Sequence, residues 1–188
     1  MKPLLAVMLL AGLAFQASAT AGEHYRIDTA HSHAGFEVRL LWFRTISGRF
    51  ARIDGTVSLN GQGMAIVDAR IDSPSVVMDS PHYRKAVLGP KFFDAAQHPV
   101  IHFLSDPVAF TALRSGGVLD GQLSLRGITR PVRFELLASH CTASAQSTCK
   151  IRVRGRVSRK AFGMTSHRTV LSDRVTLELS IALEPAIR

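Results

Sequence analysis

Cysteine occurs only twice in these 188 residues, tryptophan once and tyrosine twice. Cys141 and Cys149 enclose the polar stretch Thr-Ala-Ser-Ala-Gln-Ser-Thr. That is not the Cys-x-x-Cys spacing of a redox pair or a zinc site. In an oxidising compartment the two would pair, and closing so short a loop contributes about 2–3 kcal/mol, so a structural disulfide is expected. Acidic residues are also scarce: 14 Asp and Glu stand against 23 Lys and Arg, a formal net charge of +9. The basic excess is not gathered into one run. Arg39, Arg126, Arg133, Arg152, Arg154 and Arg156 are spread through alternating segments. They read as a solvated outer face, and weak attraction to an anionic membrane surface is the alternative. No aromatic-basic motif for nucleic acid is present, and no Gly-x-Ser-x-Gly elbow. Neither a nucleic-acid partner, an enzyme with catalytic residues, nor a cofactor is expected.

Long apolar runs are missing beyond the first residues. Met1-Lys2 is a short positive start, Leu4 to Phe15 is apolar but too short to span a bilayer, and Ala17-Ser18-Ala19 is a small-x-small cleavage site. The expectation is a signal peptide over residues 1–19, cleaved after 19 or 21, and an exported soluble domain over 20–188. Nothing marks an internal linker or repeat.

Helical periodicity is nearly absent, and period-two alternation takes its place. It is clearest around Gly121-Gln-Leu-Ser-Leu-Arg-Gly-Ile-Thr-Arg-Pro-Val-Arg-Phe-Glu-Leu136. Leu123 and Leu125 alternate with polar residues, Gly127 permits a turn, and Val132, Phe134 and Leu136 alternate again. Pro131 fits a turn exit or strand start better than mid-sheet. The same pattern recurs at Phe36-Val38-Leu40, Val57-Leu59, Val67-Ala69-Ile71, Ile101-Phe103, Ile151-Val153-Val157 and Val175-Leu177-Leu179-Ile181-Leu183. Two short helical segments interrupt it, one capped by Asp79 or Ser80 with Pro81 first, the other at Lys160–Met164. Neither can cover a sheet face. An antiparallel sheet with one continuous apolar face must then pack on another sheet or close on itself, and closure removes exposed edges. The reading is all-β: a single antiparallel β-barrel of about eight strands with one or two short helices. Large inward residues alternate with Gly55, Ala69 and Gly155, which would leave room for an elongated ligand. A lumen filled by side chains, in an envelope interaction or stress protein with Leu41-Trp42-Phe43 as its contact, is the alternative. Histidine offers a lesser one. His31 and His33 share a face if extended, and His98 or His102 could join them, but no cysteine or carboxylate cluster accompanies them, so no metal is expected.

Four ordered motifs add a resemblance. Tyr25-Arg-Ile-Asp28 with His31-Ser32, Phe36 and Gly48-Arg-Phe50 resembles the start of the YceI-like family. Phe92-Phe-Asp94 with His98-Pro-Val-Ile-His-Phe103 is similar to its central segment, the Leu125-Arg-Gly-Ile-Thr-Arg-Pro131 run to its most distinctive one, and Arg159-x-x-Phe162-Gly-Met164 to its late motif. Ala161 departs from the acidic residue usual there, and Leu40-Leu-Trp-Phe43 from a stretch that commonly carries a histidine. The resemblance implies a periplasmic, lipocalin-like barrel. Such a barrel binds an isoprenoid lipid or isoprenoid quinone in its lumen and catalyses nothing. The residues expected to line that lumen are Phe36, Val38, Leu40, Phe50, Val57, Ile71, Phe92, Phe93, Ile101, Phe103, Leu123, Leu125, Phe134, Leu136, Val153, Phe162, Met164, Leu177, Leu179 and Ile181.

Overall fold

The computed structural model describes residues 23–41, 43–139 and 150–186. The expected leader and the expected Cys141–Cys149 disulfide lie outside the described residues, as does Trp42.

Twelve strands form one sheet: β1 (His24–Ile27), β2 (His33–Leu40), β3 (Arg44–Phe50), β4 (Ile53–Leu59), β5 (Met64–Asp72), β6 (Val76–Val77), β7 (Val100–Ser105), β8 (Val108–Ala109), β9 (Gly117–Leu125), β10 (Ile128–Leu137), β11 (Lys150–Ser158) and β12 (Leu171–Pro185). Among the described residues two α-helices, α1 (Pro81–Leu88) and α2 (Ala112–Ser115), accompany it. Every pairing is antiparallel. The number of strands exceeds the expected eight because two staves are broken into halves and because β6 and β8 are two-residue strands that pair only with β3 and β5. β1 and β2 are halves of one stave, interrupted where the Asp28 carboxylate accepts from the N–H groups of Ala30 and His31 at 2.9 and 3.2 Å. β4 follows β3 in the same way and pairs with β1 while β3 pairs with β2. Counted as staves, the structure is an eight-stranded closed antiparallel barrel, the architecture the alternation implies.

Closure depends on β12. Along one edge it pairs with β11; along the other it pairs first with β2 and then, at Leu183–Pro185, with β1. The break between β1 and β2 would leave β12 without a partner near Ala182. Buried Ser32 fills that gap, its Oγ accepting from the Ala182 N–H at 2.9 Å, while the Asp28 N–H donates to the Ala182 carbonyl at 2.9 Å. A side chain thus replaces a missing ladder bond at the seam, where an unpaired buried amide would be costly.

The central hairpin is β9–β10, with Leu125 paired to Ile128. Its two turn residues, Arg126 and Gly127, both have left-handed φ (55° and 71°), which matches the twist of two-residue hairpin turns. Pro131 lies inside β10, not at a strand start. It is tolerated because the β11 ladder begins only at Phe134, so its missing N–H falls on an edge with no strand partner. α1 starts as the local chemistry requires: the Ser80 Oγ accepts from the Tyr83 N–H at 3.4 Å and Pro81 takes the first position. The Lys160–Phe162 segment is a single tight turn closed by Gly163 at φ 74°. The α2 turn had no clear sequence signal.

Two of the glycines expected to leave room in the lumen are occupied. A Cβ on Gly155 would lie 2.1 Å from Phe134 Cδ1 and one on Gly55 2.0 Å from the Asp68 carbonyl. Gly155 is the register partner of Phe134. Gly48 stands in the same relation to Phe36, with 2.4 Å to Cζ. These glycines let the rings lie flat against the wall. Gly155→Ala is therefore expected to destabilise the barrel by about 1–3 kcal/mol through overpacking. Gly61→Ala, whose Cβ meets nothing within 4 Å, should stay within about 0.5 kcal/mol of the parent. Urea denaturation of the two variants checks the contrast.

Candidate functional site

The inward faces of the staves enclose an apolar cavity of about 310 Å³. That is twice the volume of a dry cavity able to hold benzene, and it falls at the lower end of the usual range for ligand pockets. The lumen is therefore not filled by its own side chains. Its floor lies under α2, where Leu113 is fully buried and Tyr25 stacks on Phe110 at 5.3 Å. Ile27, Val57, Leu119 and Ile181 line the lower part; Ile53, Ile71, Ile101, Leu123 and Val153 line the middle. Two aromatic groups shape the space between. Phe36, Phe50 and Phe93 form a triangle with ring centroids 5.4–5.8 Å apart, and Phe103 lies 5.3 Å from Phe134. Because Phe36 and Phe134 lie down on glycines, the rings narrow the cavity without plugging it.

The upper end is built from the β2–β3 hairpin, one face of α1, the Phe92–Phe93 loop and the Met164–Leu171 loop. Polar side chains reach the lining only toward this end: His82 and Tyr83 from α1, His167 from the loop, and Arg159. Phe92 stacks on His167 at 5.9 Å, so two loops meet over the mouth. The central hairpin holds one of them. Arg126 donates from Nη1 to the Phe92 carbonyl at 2.6 Å, and the His98 ring lies over Gly127, 3.2 Å from where a Cβ would be. The Leu125–Pro131 run thus holds the Phe92–Phe93 loop as well as making a turn.

Arg159 is 2% exposed and has a different task. Its Nε donates to the Ser172 carbonyl at 2.9 Å, Nη1 to those of Met164 and Ser166 at 2.8 and 2.6 Å, and Nη2 to that of Leu171 at 3.1 Å. Burial pushes the guanidinium below the ordinary arginine range, and the Asp173 carboxylate pulls it back up. One cation therefore gathers four carbonyls and folds the loop that carries Met164, Val170 and Leu171 into the mouth.

Of the residues expected at the lumen, eighteen line the cavity: Phe36, Val38, Leu40, Phe50, Val57, Ile71, Phe92, Phe93, Ile101, Phe103, Leu123, Leu125, Phe134, Val153, Met164, Leu177, Leu179 and Ile181. Leu136 and Phe162 do not. Both are buried, Leu136 near the α2 end of β10 and Phe162 in the turn that packs on β10, so their surfaces are spent on core packing. Alternation would have supplied Ile53, Val67, Ile151, Val157 and Val175 as further lining residues. The α1 face and Arg159 had no such signal, because a short polar helix and a lone arginine look like surface. The histidines disperse. His31 meets the Asp28 carboxylate at 2.6 Å and His102 that of Asp68 at 2.9 Å. Among the described residues no group of three or more His, Cys, Asp or Glu comes together as a metal site.

Comparison with known proteins agrees with this geometry. The YceI-like domain profile matches residues 25–183. Protein YceI of Escherichia coli O157:H7 is 26% identical over 189 aligned residues, covering 96% of this chain and 97% of its own. The Salmonella arizonae protein of the same name is also 26% identical, at the same coverage. Among solved structures, BcnA of Burkholderia cenocepacia superposes with a TM-score of 0.71 at 18% identity, covering 84% of this chain and 99% of its own. A polyisoprenoid binding domain from Saccharophagus degradans gives 0.64 at 15%, covering 86% and 98%. At these identities the structural likeness establishes the barrel.

Arg159→Lys is expected to cost about 2–4 kcal/mol, since one ammonium cannot serve carbonyls that the planar guanidinium reaches from three nitrogens. Urea denaturation measures it, and a stability equal to the parent would show that the clamp does not hold the loop.

Proposed function

The chain belongs to the YceI-like domain family, and on that premise we propose that it is a periplasmic, non-catalytic carrier or sequestering protein for an elongated isoprenoid lipid, either a polyprenyl lipid or an isoprenoid quinone. The observation that carries this reading is the cavity: a narrow, apolar lumen running from Leu113 at its floor to Leu40 and Leu171 at its mouth, with polar side chains only toward one end. The likeness to the Saccharophagus degradans polyisoprenoid binding domain supports the choice of ligand class.

The physical chemistry fits. Each isoprene unit removed from water contributes roughly 3–4 kcal/mol gross, at about 0.8 kcal/mol per CH₂-sized group. Two or three units therefore outweigh the cost of immobilising the chain, with no recognition of the head required. A lumen this narrow accepts a thin chain and leaves a ring-sized head at the mouth, near His82, Tyr83 and His167. The non-catalytic part of the reading is supported by the lining, which is almost wholly aliphatic and aromatic, and by Arg159, four of whose N–H groups are taken by backbone carbonyls. Export is supported by the leader expected over residues 1–19.

Titration with a farnesyl-length alcohol tests the reading. The parent is expected to bind it and to melt at a higher temperature, with a gain of about 2.7 kcal/mol at a hundredfold excess over Kd. Leu179→Trp, which puts bulk into the cavity from β12, should weaken binding by roughly tenfold or more, about 1.4 kcal/mol per decade. Equal binding by a folded Leu179→Trp protein would remove the lumen as the site.

A further inference from the structure

Three of the large apolar side chains exposed on the barrel wall have a carboxylate opposite them. Val100, Leu104 and Val118 are in register with Asp72, Asp68 and Glu135. The mouth is different. At the tip of the β2–β3 hairpin Leu41 is 44% exposed and Phe43 85% exposed. This tip does not stand apart from the lumen: the Leu41 N–H donates to the Val170 carbonyl at 2.8 Å, and Leu40, Val170 and Leu171 immediately behind it line the cavity. The exposed tip is therefore tied directly to residues that line the ligand space.

Charge lies beside it. Between Leu171 and Val175 the β12 ladder slips against β2. The outer wall there opens into a groove where Arg39, Arg156, Lys160, Arg168 and Arg174 face Glu37 and Asp173. Asp173 is already engaged, accepting from Ser158 Oγ at 2.7 Å and from the Lys160 N–H at 3.0 Å. Among the described residues none of the five cations forms an ion pair. On the outer wall Arg133 and Arg154 are paired with Asp120 and Glu178.

We propose that this end of the barrel docks on an anionic lipid bilayer, with Phe43 and Leu41 entering the acyl boundary and the neighbouring cations resting on the headgroups. An apolar wedge flanked by an excess of positive charge is the combination that holds a protein reversibly at such an interface, each part too weak alone. Docking brings the lumen mouth against the membrane, so a prenyl chain passes between bilayer and barrel without crossing water. The proposal rests on the prenyl-binding lumen for its purpose, and its test keeps the two apart.

The full exported protein is sedimented with vesicles of phosphatidylcholine alone and of phosphatidylcholine with phosphatidylglycerol, and binding of a farnesyl-length alcohol is measured in parallel without vesicles. Neither Phe43 nor the arginines tested line the lumen, so alcohol binding and melting temperature should be unchanged in every variant. The parent is expected to bind the anionic vesicles at least tenfold more tightly than the neutral ones, less so as salt is raised. Phe43→Ser should lower that binding by about tenfold. Arg39→Gln with Arg174→Gln should lower it by tenfold or more, at about fivefold for each cation near the surface. Absence of parent binding, equal binding to both vesicles, or variants that sediment like the parent would overturn docking. Any of these with alcohol binding intact leaves the lumen reading standing, whereas loss of alcohol binding in the parent would count against the lumen instead.

Discussion

The seam between β12 and the broken first stave is the constraint on which the rest of this barrel depends. A sheet of this length with one apolar face has to close, and β12 closes it by pairing with β11 along one edge and with both β2 and β1 along the other. The two halves of the first stave cannot meet β12 in one continuous ladder, so Ser32 supplies the hydrogen bond that the break at Asp28 removes. Where the same seam slips again, between Leu171 and Val175, Arg159 gathers the loose carbonyls. The lumen, its mouth and the basic groove outside it all follow from how these two irregularities are satisfied.

Within that frame the cavity is a matter of where the rings go. Seven of the chain's aromatic side chains pack in pairs or a triangle along the interior, enough to fill a small barrel if they pointed at its axis. Gly48 and Gly155 draw two of them onto the wall. The result is a thin apolar channel, better matched to a chain than to a disc.

The alternation of Leu119 through Leu136 and of Val175 through Leu183 made the barrel and most of its lining legible from residues alone, because period two leaves no choice of face once one side must be buried. Eighteen lining positions followed from that parity and from the motif segments. Leu136 and Phe162 were misplaced because burial and lumen exposure share one apolar signature; only three-dimensional position separates a residue under α2 or on β10 from one facing the cavity. Gly155 reads as space from its size and is the seat of Phe134 instead, as Gly48 is of Phe36, a pairing across strands that spacing cannot reveal. Arg159 stands in the late motif, but its role is hidden for the opposite reason: its charge reads as surface, and its four partners are backbone carbonyls that no side-chain pattern records.

The chemistry of the occupant decides the account. Organic extraction of the protein purified from its native host, followed by mass spectrometry, reads it directly. A prenyl lipid recovered in proportion to the protein, and lost when Leu179 is replaced by tryptophan, is the predicted result. Repeated extracts holding no prenyl species, or only straight-chain acyl lipids, would contradict it.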